Sequence, residues 1–122
     1  MPDIMEQRLF VPCKDFARSI DFYGRLGWTL GFQSADLALM SLGQSHFFLQ
    51  NAWLEPWAHN TMIHLVVDDA TAWHETVRRV RQEGGFDEVK VKPPQREAYG
   101  ALATHVIDPA GVLLFFAQMD GR

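Results

Sequence analysis

From Gln7 to Cys13 the chain alternates, with Leu9, Val11 and Cys13 on one side and Arg8, Phe10 and Pro12 on the other, the period of a β-strand with one fully apolar face. Asp15 stands where a helix N-cap belongs, Phe16, Ile20, Tyr23 and Leu26 recur behind it at helical spacing, and Gly27 occupies the C-cap position. Two further strands are predicted over residues 28–32 and 37–42, separated by a polar turn at 33–36, and a third over residues 43–50. The first half of the chain therefore reads β-α-β-β-β.

A turn-prone linker with Asn51 and Pro56 follows, and then the order restarts. Residues 61–69 form an apolar strand running into an acidic helix cap. Trp73, Val77 and Val80 make the apolar stripe of a second helix, which Gly84-Gly85 ends. Residues 88–92 alternate as a short strand, Pro93-Pro94 breaks it, and residues 102–107 resume before an Asp108-Pro109-Ala110-Gly111 turn into the last strand. That last stretch, Gly111-Val112-Leu113-Leu114-Phe115-Phe116-Ala117-Gln118, shares Gly, Phe-Phe and Gln with Gly43-Gln44-Ser45-His46-Phe47-Phe48-Leu49-Gln50 at the same four offsets. One supersecondary unit is used twice in a single domain spanning residues 1–122: a first module with linker over 1–56 and a second over 57–122. The helix caps Asp15 and Asp69 are 54 residues apart and the glycines Gly43 and Gly111 are 68 apart, so the second copy carries 14 extra residues. They fit best in a Pro-rich loop at 93–100, where Tyr99 could fold over a cleft mouth.

Composition narrows the function. Of the residues 48% are apolar and 21% charged, an ordinary globular balance that argues against disorder. The formal charge of -4 and the absence of a Lys/Arg block leave no electrostatic footprint for nucleic acid. No stretch approaches the ~18 uninterrupted apolar residues of a membrane span. The first residues lack the basic and apolar regions of a signal peptide, so no membrane association is expected and the expected location is cytoplasmic. The lone Cys13 can make neither an internal disulfide nor a thiolate cluster. No phosphate loop, nucleophile elbow, Cys-x-x-Cys or His-Glu-x-x-His pattern occurs.

The run Val11-Pro12-Cys13-Lys14-Asp15-Phe16-Ala17-Arg18-Ser19-Ile20-Asp21-Phe22-Tyr23 with Leu26-Gly27-Trp28, followed by Val106-Ile107-Asp108-Pro109-Ala110-Gly111, resembles the vicinal oxygen chelate superfamily of glyoxalases, extradiol dioxygenases and fosfomycin- and bleomycin-resistance proteins. The resemblance covers nearly the whole chain. It implies an α+β fold of tandem βαβββ modules whose two curled sheets form an open, barrel-like cleft, commonly in a homodimer with sites sometimes shared between chains. Metal-dependent members of that family place His or Gln seven residues before each helix-cap Asp and Glu four residues after each turn glycine. Here those positions hold Arg8, Met62, Phe47 and Phe115, none a usual ligand for a divalent cation. No metal and no cofactor is implied, and the resemblance is closest to the metal-free bleomycin-resistance branch.

The expected ligand site is a mostly apolar pocket of Arg8, Phe10, Phe47, Leu49, Met62, His64 and Phe115. Trp53 and Trp57 from the linker would stack a planar ligand or cover a dimer seam, and Tyr99 would act as a lid. Arg8 suits a carboxylate equally as ligand or as a structural partner. His64 shares the cleft-facing side of its strand with Met62 and Val66, opposite Ile63, Leu65 and Val67. The faces of His46 and His105 stay open without the strand register. The function expected is sequestration of a partly hydrophobic or aromatic small molecule. The alternative is a lyase, isomerase or dioxygenase of the same superfamily, with a displaced metal site or an acid-base route through His64.

Overall fold

The computed structural model describes residues 1–121; Arg122, the last residue of the second predicted module, lies outside the described residues. The first half runs β1 (Leu9–Pro12), α1 (Phe16–Leu26), β2 (Thr29–Gln33), β3 (Leu37–Leu42) and β4 (Ser45–Gln50). A short α2 (Glu55–His59) leads to β5 (Met62–Val66), α3 (Ala70–Gly84), β6 (Lys90–Val91), β7 (Gln95–Glu97), β8 (Ala101–Ile107) and β9 (Leu113–Met119). The two long helices start and stop as the sequence predicts. Asp15 accepts a hydrogen bond from the Arg18 backbone N–H at 3.1 Å and Asp69 one from Ala72 at 3.0 Å, and Gly27 and Gly85 close the helices in the left-handed region at φ 119° and 66°.

Two sheets result, ordered β1-β4-β3-β2 and β5-β9-β8-β6, with β7 also on β8. In each, the strand before the helix pairs in parallel with the last strand of its half, and all other pairs are antiparallel. Neither sheet closes on itself. The expected α+β architecture is present, with two differences in detail. Residues 55–59 of the linker are helical, because Pro56 suits a first helical turn that needs no N–H from it. Within the loop at 93–100, residues 95–97 add a short strand to the β8 edge.

The helix-facing sides of both sheets meet in one core. Aromatic edges join it across the chain: Phe22 on Phe86 at 5.3 Å, Tyr23 on Phe47 at 5.1 Å, Trp28 on Trp73 at 5.8 Å and Trp73 stacked on Phe116 at 4.7 Å. Phe22 and Ser19 lie on the buried side of α1 with Tyr23 and Leu26, whereas Phe16 and Ile20 are only partly covered. Arg18 and Arg25 both lie over the Phe86 ring, and Arg18 also binds the Glu88 carboxylate and the Gly85 carbonyl, which ties α1 to the end of α3.

A buried polar contact fixes the relation of the two halves more tightly. The Tyr23 hydroxyl on α1 donates to Asp108 at 2.7 Å, and the other carboxylate oxygen accepts the backbone N–H groups of Ala110 and Val112 at 2.8 and 2.9 Å. Burial pushes the Asp108 carboxyl up to about 6 from an ordinary 3.8, against the pull of these donors, and holds the Tyr23 phenol well above its usual range. Because the folded protein binds this proton more tightly than the unfolded chain, the contribution of Asp108 to stability is greatest below pH 3.8 and falls as pH rises through about 6. Glu6, Glu75, Glu88 and Asp120, held down by hydrogen bonds from Arg8, Arg78, Arg18 and Arg96, act in the opposite sense. Their influence cancels in a comparison of Asp108→Asn with the parent. Denaturant titrations are expected to show the variant gaining about 3 kcal/mol relative to the parent between pH 3.5 and pH 7; a difference independent of pH would refute the assignment.

Candidate functional site

With one helix seated on each sheet, the opposite faces remain largely uncovered, save at one end of the second, where Ala101, Ala103 and Ala117 pack in a small buried cluster with Met119. On the first, Phe10 of β1 stacks on Phe48 of β4 with centroids 5.2 Å apart, and the Arg8 guanidinium lies 5.6 Å from the Phe48 ring. On the second, Met62, His64 and Val66 of β5 line up beside Phe115 of β9 and His105 of β8. These faces carry unusual apolar exposure for a folded chain: Phe10 is 53% exposed, Met62 62% and Val66 49%.

The strand register decides which residues share these faces, and it overturns two expectations. Phe47 and Leu49 are buried on the helix-facing side, at 3% and 0% exposure, and not on the outer face with Phe10; of the two, only Phe47 reaches a cavity, at the floor of the groove between β1 and β5. The cause is a one-residue slip in matching the repeats. Leu9 pairs with Phe47 and Ile63 with Leu114, while the helix caps set Leu9 equivalent to Ile63. Phe48 is therefore the counterpart of Phe115, and Phe47 that of Leu114. The shared Gly-x-x-x-Phe-Phe-x-Gln string conceals this because the turns differ. Leu42 and Ser45 flank a two-residue turn and share the face of buried Met40 and Phe47, whereas Ile107 and Leu113 flank a five-residue turn and share the outer face of Phe115. A slip of one residue in a strand moves every side chain to the other face.

The remaining predicted residues divide. Arg8, Phe10, Met62, His64 and Phe115 lie on the outer faces, with Arg8 bound to Glu6 at 2.5 Å. Tyr99 reaches the same region, its hydroxyl 2.9 Å from His64 Nε2. Trp53 does not: its indole N–H donates to the Ala110 carbonyl at 2.8 Å and Lys14 Nζ sits over its ring, so it clasps the linker to the Asp108–Gly111 turn. Trp57 is half-buried in α2, its carbonyl accepting from the Thr61 hydroxyl. Three residues absent from the sequence-based site join it: Phe48, His105, and Glu97, whose carboxylate lies 2.6 Å from His105 Nε2. Phe48 emerges only from the pairing of β4 with β1, since the offset of 54 between the helix caps sets it against Leu102 and the offset of 68 between the glycines sets it against Phe116.

A groove of about 710 Å³ runs between the edge strands β1 and β5. Trp28, Trp73, Phe47 and Phe116 form its apolar floor, and Glu6, His46, His64 and Asp68 stand at its rim. His64 belongs both to this groove and to the outer face. His46, 2.9 Å from the Ser41 hydroxyl, turns to the face that Phe48 occupies.

A family model described as the glyoxalase/bleomycin resistance protein/dioxygenase superfamily matches residues 7–116. The chain belongs to that superfamily. A bleomycin resistance protein of Klebsiella pneumoniae is 26% identical over 112 residues, 90% of this chain and 89% of that protein. The bleomycin-binding protein of bleomycin-producing Streptomyces verticillus, solved with copper(II)-bleomycin, superposes with a TM-score of 0.81 at 21% identity, covering 98% of this chain and all of the other. TnmS3, an antibiotic binding protein from Streptomyces sp. CB03234, superposes with a TM-score of 0.75 at 21% identity, again over 98% and 100% of the two chains.

Some members of this superfamily use a divalent metal, and the residues here do not fit one. The corrected equivalent positions hold Arg8, Phe48, Met62 and Phe115, and no group of three His, Cys, Asp or Glu side chains among the described residues could hold an ion. Nor is Cys13 a nucleophile at neutral pH, since burial pushes its thiol up to about 12. Among the described residues no helix is long and apolar enough to cross a membrane.

Proposed function

We propose that this superfamily member is a binding protein of the bleomycin-resistance type, which holds a partly aromatic antibiotic on its outer sheet faces and protects by sequestration, without metal and without chemical turnover. The observation that carries this reading is the exposed pair of aromatic contacts at equivalent positions of the two halves, Phe10 on Phe48 and His64 beside Phe115. Aromatic faces of this kind give contact area at low entropic cost, and Arg8, His64 and Tyr99 supply the few polar groups that orient a ligand. Opposing the first face of one copy to the second face of another, in a homodimer, would cover the exposed apolar surface and enclose the ligand between them.

Native mass spectrometry and calorimetry with bleomycin, metal-free and copper-loaded, test the proposal. Expected are a dimer, saturable binding and a melting temperature that rises with bleomycin concentration. Absence of binding would refute it. Near one equivalent of divalent metal in the purified protein, lost together with an activity in His64→Ala, would establish the enzymatic alternative instead.

A further inference from the structure

On the second sheet the register places three side chains in a single row across the strands. His64 of β5 is opposite Phe115 of β9, and Phe115 is opposite His105 of β8. The rings follow that order, with His64 6.0 Å and His105 4.7 Å from the Phe115 centroid. Two strand spacings separate the imidazole-bearing backbones, about 9.6 Å. The equivalent row on the first sheet is Phe10, Phe48 and Leu39, apolar throughout.

Each imidazole is held from the segment between β6 and β8. Tyr99 Oη is 2.9 Å from His64 Nε2, and Glu97 Oε1 is 2.6 Å from His105 Nε2. The segment is itself anchored by Arg96, whose guanidinium binds both oxygens of Asp120. A carboxylate can only accept, so Glu97 requires the proton of a neutral His105 to sit on Nε2. Nδ1 of that ring then carries a lone pair, and no protein donor among the described residues is bonded to it.

We propose that His64, Phe115 and His105 form a recognition strip for a flat aromatic ligand with hydrogen-bonding groups at both ends, the end at His105 carrying a donor such as a hydroxyl or N–H. Phe115 takes the ring system, the imidazoles read its two ends, and the Phe10, Phe48 and Leu39 row provides an apolar cover without end preference. This rests on the binding reading above and adds the chemistry of the ligand to it.

Calorimetric titration of the full chain with naphthalene-2,6-diol, 2,6-dimethoxynaphthalene and naphthalene tests the strip. The diol is expected to bind roughly tenfold more tightly than naphthalene, with the dimethoxy compound losing most of that advantage because it has no donor. His105→Phe and His64→Phe should each weaken the diol roughly three- to tenfold and leave naphthalene within about twofold. The ligand series on the parent protein decides the matter even if a variant fails to fold. Equal binding of all three compounds, equal weakening of diol and naphthalene by the substitutions, or binding of none of them would overturn the strip. Bleomycin titrated alongside separates the two readings: if it binds while the naphthalenes do not discriminate, only the strip falls, and if nothing binds, both do.

Discussion

Asp108→Ala is expected to destabilise the fold by about 4 kcal/mol, since it strips three buried donors of their acceptor and opens a cavity between the halves. For a chain of this size that is a fall of roughly 15 °C in melting temperature, measurable by calorimetry. The donors at risk are the Tyr23 hydroxyl and the backbone N–H groups of Ala110 and Val112, none of which has another acceptor among the described residues. Tyr23→Phe removes only one of these bonds and should cost about 1 kcal/mol. Near-equal effects of the two substitutions would mean that the Asp108–Gly111 turn holds itself without the carboxylate, contrary to the geometry. The motif that marks the superfamily in sequence thus has a plain physical role, in which its aspartate shapes a five-residue turn and hands one oxygen to the helix of the other half.

The neighbouring phenylalanines of β4 should behave oppositely. Phe47→Ala empties a site against Tyr23 and Trp28 at 3% exposure and is expected to cost about 4 kcal/mol of stability, with ligand affinity unchanged in the protein that remains folded. Phe48→Ala removes the ring that Phe10 stacks on and Arg8 covers; it should cost about 1 kcal/mol of stability and lower bleomycin affinity roughly tenfold. Paired denaturation and binding measurements check both. The result that defeats the assignment is a reversed pattern, with Phe47 governing affinity and Phe48 governing stability.

That pair also measures how far the sequence could be read. Strand period, helix spacing and caps located both long helices and most strands, because each signal is local: Asp15 and Asp69 bond to N–H groups three residues away, and Gly27 and Gly85 close their own helices. The face of β5 was legible for the same reason, since alternation places Ile63 and Leu65 against the core and Met62, His64 and Val66 outside it. The face of β4 was not. Phe47 and Phe48 are both aromatic, so alternation gives no preference between them, and the glycine that invited the repeat match belongs to turns of different length. The place of Trp53 is illegible in the sequence for another reason. Trp53 is consumed by a hydrogen bond to Ala110, a residue 57 positions away that no spacing rule connects to it.

By itself the sequence determined the order of the long helices and of the strands outside residues 95–97, the residues that start and stop those helices, and the superfamily, all of which follow from short-range spacing or motif chemistry. Tertiary structure decided which side of each strand faces outward in β4, and brought His105 and Glu97 to Phe115 and His64. Those outcomes depend on pairing between strands distant in sequence, where one residue of register exchanges core for surface.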